Sequence, residues 1–268
     1  MRRRLPPRIR GRFINDDLQT GAVAETAPVF FAHMSLQALF FDAAGTLIRP
    51  AEPVGATYAR LADRHGIQAE PTVLMQAFRA AWKATPAPLH PPGLPSLDDD
   101  RGWWHDLVGV VFASALDAPL PKGTLDTLFG DLYEHYAHPQ AWTVFDDVLP
   151  ALSDLARDHK LLILSNFDRR LRSILAGHDL LRFFEHVVIS SEVGAAKPHA
   201  RMFQAALAAA GCKPEHCLHV GDDTYCDFEG AQSCHVHAFQ VERPVNGLAM
   251  VVQKVRSGAY SGLRSTRL

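Results

Sequence analysis

The chain has 268 residues, 47% of them hydrophobic and 21% charged, with a formal net charge of −2. This is the composition of an ordinary globular protein, and Lys+Arg 27 against Asp+Glu 29 leaves no basic field to hold a phosphate backbone, which argues against a nucleic-acid partner. No apolar run approaches the roughly 18 residues of a membrane-spanning helix, so no membrane partner is expected either.

MRRRLPPRIRGR opens the chain, rich in arginine and broken by proline, and Met34 stands directly before SLQALFFD. Residues 1–33 read as a disordered leader ahead of a start at Met34. No secretory apolar stretch follows the arginines, and Asp16, Asp17 and Glu25 dilute the character of a transit peptide. From there, LQALFFD, KLLILSN, FFEHVVISS, HCLHVGDD and HVHAFQV are compact runs of Leu, Ile, Val and Phe. They suit strands buried on both faces. Helical patterns separate the later ones, at FDDVLPALSDLARDH, RRLRSILAGHDLL and ARMFQAALAAAG, with a short turn at DFEGAQ. Strands joined by single helices predict an α/β fold, a doubly wound parallel sheet.

The interval 48–143 breaks that rhythm. It reads as four helices, VGATYARLADRHG, PTVLMQAFRAAWKA, RGWWHDLVGVVFASAL and LDTLFGDLYEHYAH, with the proline-rich TPAPLHPPGLPSL between the pairs. The predicted organisation is a core of 34–47 and 144–245, a helical cap of 48–143, and a tail of 246–268 with a helix at LAMVVQKVR. Cys212, Cys217, Cys226 and Cys234 crowd together with His216, His219, His235 and His237. No C-x-x-C knuckle is present, so they read as small core thiols, and reduced thiols suit a cytoplasmic setting.

Polar residues collect where the strands end, the place where ligands bind in open α/β sheets. Asp42 follows LFF and begins DAAGTL, Ser165 and Asn166 follow LLIL, Lys197 lies in GAAKP, and Asp222, Asp223 and Asp227 lie in GDDTYCD. Singly, each is an ordinary turn or cap residue. In order, and each at a strand end, they make an acidic pocket with one lysine and one hydroxyl.

This combination, from Met34 to about Val241, resembles the haloacid dehalogenase superfamily of aspartate-nucleophile hydrolases, and the position of the helical insert is similar to its subfamily IA. RGWWHDLV, YAHPQAWTVFD, SNFDRRL and GDDTYCDFEGA are similar to the branch of domain-containing protein 3. The resemblance implies a Rossmann-like core and a small phosphorylated substrate. It makes Asp42 the nucleophile, forming an aspartyl-phosphate. Ser165 would donate to a phosphoryl oxygen, Lys197 would neutralise charge there, Thr46 would orient the loop by hydrogen bonding, and Thr46 and Asn166 would be among the substrate-binding residues. Mg²⁺ would be held by Asp42, the Ala44 carbonyl, Asp222 and Asp227, with Asp223 assisting; hard oxygens suit that ion.

Ala44 departs from the family's pattern. Phosphatases of the family carry a second carboxylate there, which protonates the leaving oxygen and then activates water, help commonly worth about 10²–10⁴-fold. Four readings fit: a phosphatase suited to leaving groups that need little protonation; a 2-haloacid dehalogenase, which also lacks that carboxylate but works without Mg²⁺ and usually without a GDD-type motif; a phosphonoacetaldehyde hydrolase-like enzyme, with Lys83 as the imine-forming lysine; and a binding or regulatory protein without turnover. Among lesser features, Trp103 and Trp104 divide between core and cleft, with packing the favoured role for both. Asp98, Asp99 and Asp100 read as N-terminal caps of the following helix.

Overall fold

The computed structural model describes residues 36–260 apart from 89, 92 and 93; the leader expected over 1–33 and the last eight residues lie outside the described residues. Strand β1 (Ala38–Phe41) is buried at all four positions. Its odd and even residues face different layers: Leu39 and Phe41 join one apolar cluster, and Ala38 and Phe40 another. Two-sided burial is why the strand reads as a continuous apolar run rather than an alternating one.

The chain then forms β2 (Ile48–Pro50), the helices α1 (Val54–Asp63), α2 (Pro71–Ala84), α3 (Arg101–Ala115) and α4 (Lys122–His135), and β3 (Trp142–Val144). β2 and β3 pair antiparallel, Ile48 opposite Val144 and Pro50 opposite Trp142, so the chain leaves and re-enters the core through a two-stranded ribbon. The sequence reading has no strands here. Three-residue strands are too short to show a period, and Pro50 reads as a break rather than as an edge residue. Between the two passages the four helices bury their own core, with Tyr58, Leu74, Leu107, Phe112, Leu128 and Leu132 at its centre.

The remainder runs α5 (Val148–Leu155), β4 (Lys160–Ser165), α6 (Arg170–Gly177), β5 (His186–Ile189), a short α7 (Ser190–Val193), α8 (Ala200–Ala210), β6 (Cys217–Gly221), a π-helical turn over Thr224–Glu229, α9 (Gly230–Ser233), β7 (His237–Gln240) and α10 (Leu248–Arg256). The five-stranded sheet has the order β5-β4-β1-β6-β7, with every pairing parallel. The connections run one way from β1 to β4 and β5, then cross to β6 and β7 on its other side. β1 is therefore the switch point of the sheet, where diverging loops leave a crevice. Among the described residues no helix is long and apolar enough to cross a membrane.

The proline-rich segment before α3 docks on the core. The backbone N–H of Ser96 donates to the Ser191 carbonyl at 2.6 Å. Gly194 has a positive φ of 71°, and the Leu94 carbonyl lies where its Cβ would stand, an approach only glycine permits. Asp99 accepts the Ser191 hydroxyl at 2.6 Å and the Arg169 backbone N–H at 3.0 Å. This corrects the sequence reading of the three aspartates as caps. Asp98 alone does that work, accepting the Gly102 N–H; Asp100 pairs with His90, and Asp99 latches insert to core, because both it and Asp100 take left-handed backbone (φ 57° and 62°) that turns their side chains away from the helix end.

Asp99→Ala should destabilise the protein by about 1 kcal/mol, the net value of an ordinary hydrogen bond. Amide exchange should quicken in residues 94–101 and not in β1 or β4. Unchanged exchange in that loop would show that the latch is not what holds it.

Candidate active site

The end of β1 sits level with the ends of its neighbours, because Phe41 is in register with both Ile163 and Val220 and the Asp42 N–H donates to the Val220 carbonyl. Asp42 Oδ1 accepts the Ser165 hydroxyl at 2.9 Å and the Lys197 ammonium at 2.8 Å. Lys197 Nζ also donates to Asp227 Oδ1 at 2.5 Å, and only 2% of the residue is exposed. Asn166 clamps the lysine's backbone, accepting its N–H at 2.6 Å and donating to its carbonyl at 3.0 Å. The side chain expected to bind substrate thus also places Lys197.

Thr46 is likewise fully buried and donates to Asp222 Oδ1 at 3.1 Å; it does not line the cavity, so its part is to orient Asp222. The turn between them depends on Gly45, whose φ of +93° is strained for any other residue, and whose absent Cβ leaves room for the Asp222 carboxylate. Asp223 caps the π-helical turn by accepting the N–H groups of Tyr225 and Cys226.

Burial pulls the Lys197 pKa down, but Asp227 and Asp42 outweigh it and hold the ammonium above its usual range. Burial would also raise the Asp227 carboxyl, yet Lys197 and His219 hold it well below the ordinary value. Asp42 is raised, chiefly by burial, with Lys197 opposing. Asp222 is pushed up to about 7 by burial and by its neighbours Asp42 and Asp227. Carboxylate oxygens of Asp42, Asp222 and Asp227 lie within 4.8 Å of one another. One lysine does not offset three crowded carboxylates, and the raised Asp222 marks the deficit. An all-oxygen donor set with unmet negative charge fits a hard divalent cation. Asp227 is the least free of the three, since Oδ1 meets Lys197 and His219 and Oδ2 accepts the Asp223 N–H.

Above this acidic floor lies a cavity of about 350 Å³. Its floor includes Asp42, Ala44, Ser165, Asn166, Lys197 and Asp222, and its roof is aromatic, from Tyr58, Phe78, Trp82, Trp104 and Tyr133 of the insert. Trp82 stacks on Trp104 at 5.7 Å, while Trp103 stays off the lining and donates its indole N–H to the Pro86 carbonyl. Lys83 is exposed and does not line the cavity.

The pattern of haloacid dehalogenase-like hydrolases matches residues 36–235. The chain belongs to that family. Human haloacid dehalogenase-like hydrolase domain-containing protein 3 is 36% identical over 219 residues, covering 79% of this chain and 84% of the human one. Among solved structures, an HAD phosphatase from Thermococcus onnurineus matches with a TM-score of 0.56 at 21% identity, over 81% of this chain and 97% of that one. The L-2-haloacid dehalogenase from Xanthobacter autotrophicus matches with a TM-score of 0.56 at 19% identity, over 83% of each. At those identities the two structures share the fold, not an assigned substrate. The α/β Rossmann-like core of the haloacid dehalogenase family is what positions Asp42 here.

Sequence reasoning missed two parts of this family member's site. His219 lies inside β6, buried, with Nε2 at 2.9 Å from Asp227 Oδ1 and its ring edge-on to Phe203 at 5.5 Å. A histidine within a two-sided buried strand must find a polar partner, and that was the signal available. Arg170 was hidden in SNFDRRL. It grips fully buried Asp168 through two nitrogens at 2.8 and 2.6 Å, donates to the Tyr133 carbonyl, and stacks on the Tyr133 ring at 3.6 Å.

Titrating a divalent cation into the protein should raise its Tm. The rise should shrink as pH falls below about 7, because Asp222 then holds a proton that the cation must displace. Asp222→Asn should remove most of it. Scanning fluorimetry above and below that pH checks this, and an equal rise on both sides would place the cation elsewhere.

Proposed function

We propose that the protein is a Mg²⁺-dependent phosphatase working through an aspartyl-phosphate on Asp42. The observation that carries the reading is the Asp42 carboxylate on the cavity floor, with Ser165 and Lys197 both on Oδ1 and no comparable bond holding Oδ2 among the described residues. The phosphatase fold neighbour from Thermococcus onnurineus is consistent with it. The cysteines are free, as a reducing compartment keeps them, and the setting we propose is the cytoplasm.

Held by Asp42, Asp222 and the Ala44 carbonyl, with Asp227 beside them, Mg²⁺ would supply positive charge against the phosphoryl oxygens. Asp42 attacks phosphorus as the bond to the leaving oxygen breaks. Ser165 and Lys197, already gathered at the nucleophile, stabilise the charge that develops on the transferring group. Asp227 positions Lys197. Water then attacks the acyl phosphate, restoring the Asp42 carboxylate and releasing phosphate. Ala44 offers neither a proton for the leaving oxygen nor a base for that water.

The rival chemistries meet obstacles at named residues. A 2-haloacid carries a carboxylate beside the reacting carbon; of the two cations lining the cavity, Arg170 is paired with Asp168 and Lys197 sits on Asp42 itself. Imine chemistry needs Lys83, which is off the lining.

With Mg²⁺ and acetyl phosphate, the wild-type protein should turn over and show a phosphoryl adduct by intact mass. Asp42→Asn should show neither. Equal behaviour of the two would leave a binding protein that has lost turnover. Ala44→Asp, which restores the missing acid and base, should raise the steady-state rate on alkyl phosphates by roughly 10²-fold or more; an unchanged rate would mean that another group already moves the proton.

A further inference from the structure

We infer that the leaving group this site accepts is an uncharged aryl alcohol, so that the substrate class is small aryl phosphomonoesters. The inference rests on the phosphatase reading above and adds to it what the cavity selects.

Two independent observations meet here. The first is the roof. Tyr58, Phe78, Trp82, Trp104 and Tyr133 face the space above Asp42, and Phe78, Trp82 and Trp104 already form a run of near-parallel rings, at 6.1 Å and 20° and then 5.7 Å and 29°. A flat ring extends such a stack, in offset or edge-on geometry, while the cavity's about 350 Å³ holds one or two fused rings within the usual size of small-ligand sites. A leaving group with a carboxylate or several hydroxyls would be desolvated against these rings. Arg170, stacked on Tyr133 of the roof, is paired with Asp168, and Lys197 lies at Asp42 and Asp227, where it serves the phosphoryl group rather than the leaving group. Unpaired burial of that kind disfavours sugar and acidic phosphates.

The second observation is Ala44, also on the lining. When Asp42 attacks, the phosphorus–oxygen bond breaks with its electron pair on the leaving oxygen. An alkanol leaves as an alkoxide, close in basicity to hydroxide, with a pKa of about 15.7 for water, and needs a proton during the step. A phenol has a pKa of about 10 and leaves as phenolate, to be protonated afterwards by solvent. The absent general acid costs such a substrate little. Roof and floor therefore select the same leaving group by unrelated means, one by surface and one by proton demand.

The test compares acetyl phosphate, 2-naphthyl phosphate, glycerol 3-phosphate and phosphoglycolate with full-length protein and Mg²⁺. It adds binding of 2-naphthylmethylphosphonate, which has no cleavable oxygen bridge, followed by tryptophan fluorescence against methylphosphonate. The expected kcat/KM for 2-naphthyl phosphate exceeds that for glycerol 3-phosphate by at least about 100-fold, the lower bound of what a general acid supplies. The naphthyl phosphonate should bind more tightly than methylphosphonate. Trp82→Ala, at a half-exposed position that tolerates truncation, should lower the ratio of 2-naphthyl to acetyl phosphate turnover about tenfold, the value of one aromatic contact. Turnover of acetyl phosphate without naphthyl preference, or equal binding of the two phosphonates, overturns the inference and leaves the phosphatase standing. No phosphoryl adduct and no turnover with any compound overturns both.

Discussion

The acidic cluster at the end of the sheet depends on one buried ammonium. Lys197 joins Asp42 after β1 to Asp227 after β6, and without it two buried carboxylates would face each other unneutralised. Removing one partner of such a set strands the others, which costs far more than an exposed ion pair contributes. The surrounding polar contacts serve this placement. Asn166 fixes the lysine's peptide from the end of β4, and His219 steadies Asp227 from inside β6. Three strand ends are thereby tied to one side chain, and Asp42 Oδ1 is held by Ser165 and Lys197 together.

The second constraint is closure. A sheet alone leaves Asp42 open to water, and the helical insert turns that open end into a cavity. Two contacts of different kind join insert to core: Arg170, gripped by buried Asp168 and laid on Tyr133, and Asp99, bound to Ser191 and the Arg169 backbone. The roof they hold down is aromatic and the floor is charged, so an apolar and an ionic surface share one space. That division is the physical basis for proposing a leaving group from the insert and a reaction from the core.

The fold was legible because β1, β4 and β6 are buried on both faces and read as unbroken apolar runs, and because the helices between them are long enough to show their period. Asp42, Ser165 and Asp222 were legible for a related reason: each lies at the end of such a run, and a strand end in a parallel sheet is a place where function collects; Lys197, read as following the third strand, instead lies beyond α7. Their partners were not. Thr46 was expected to orient its loop by hydrogen bonding, but that its partner is Asp222, and that Asn166 holds the Lys197 backbone, are relations across more than 30 residues that no local pattern encodes. Asp98, Asp99 and Asp100 sat where caps belong, and only the left-handed backbone at Asp99 and Asp100 redirected them.

By itself the sequence determined the chain order of the five core strands, the place of the insert and the polar residues near the strand ends. These follow from local composition and period, which survive in a one-dimensional string. Tertiary structure alone decided which rings roof the cavity, that Arg170 is paired with Asp168 and Lys197 with Asp42 and Asp227, and that His219 contacts Asp227. Those are properties of pairs distant in the chain, and they exist only once the insert has folded back over β1.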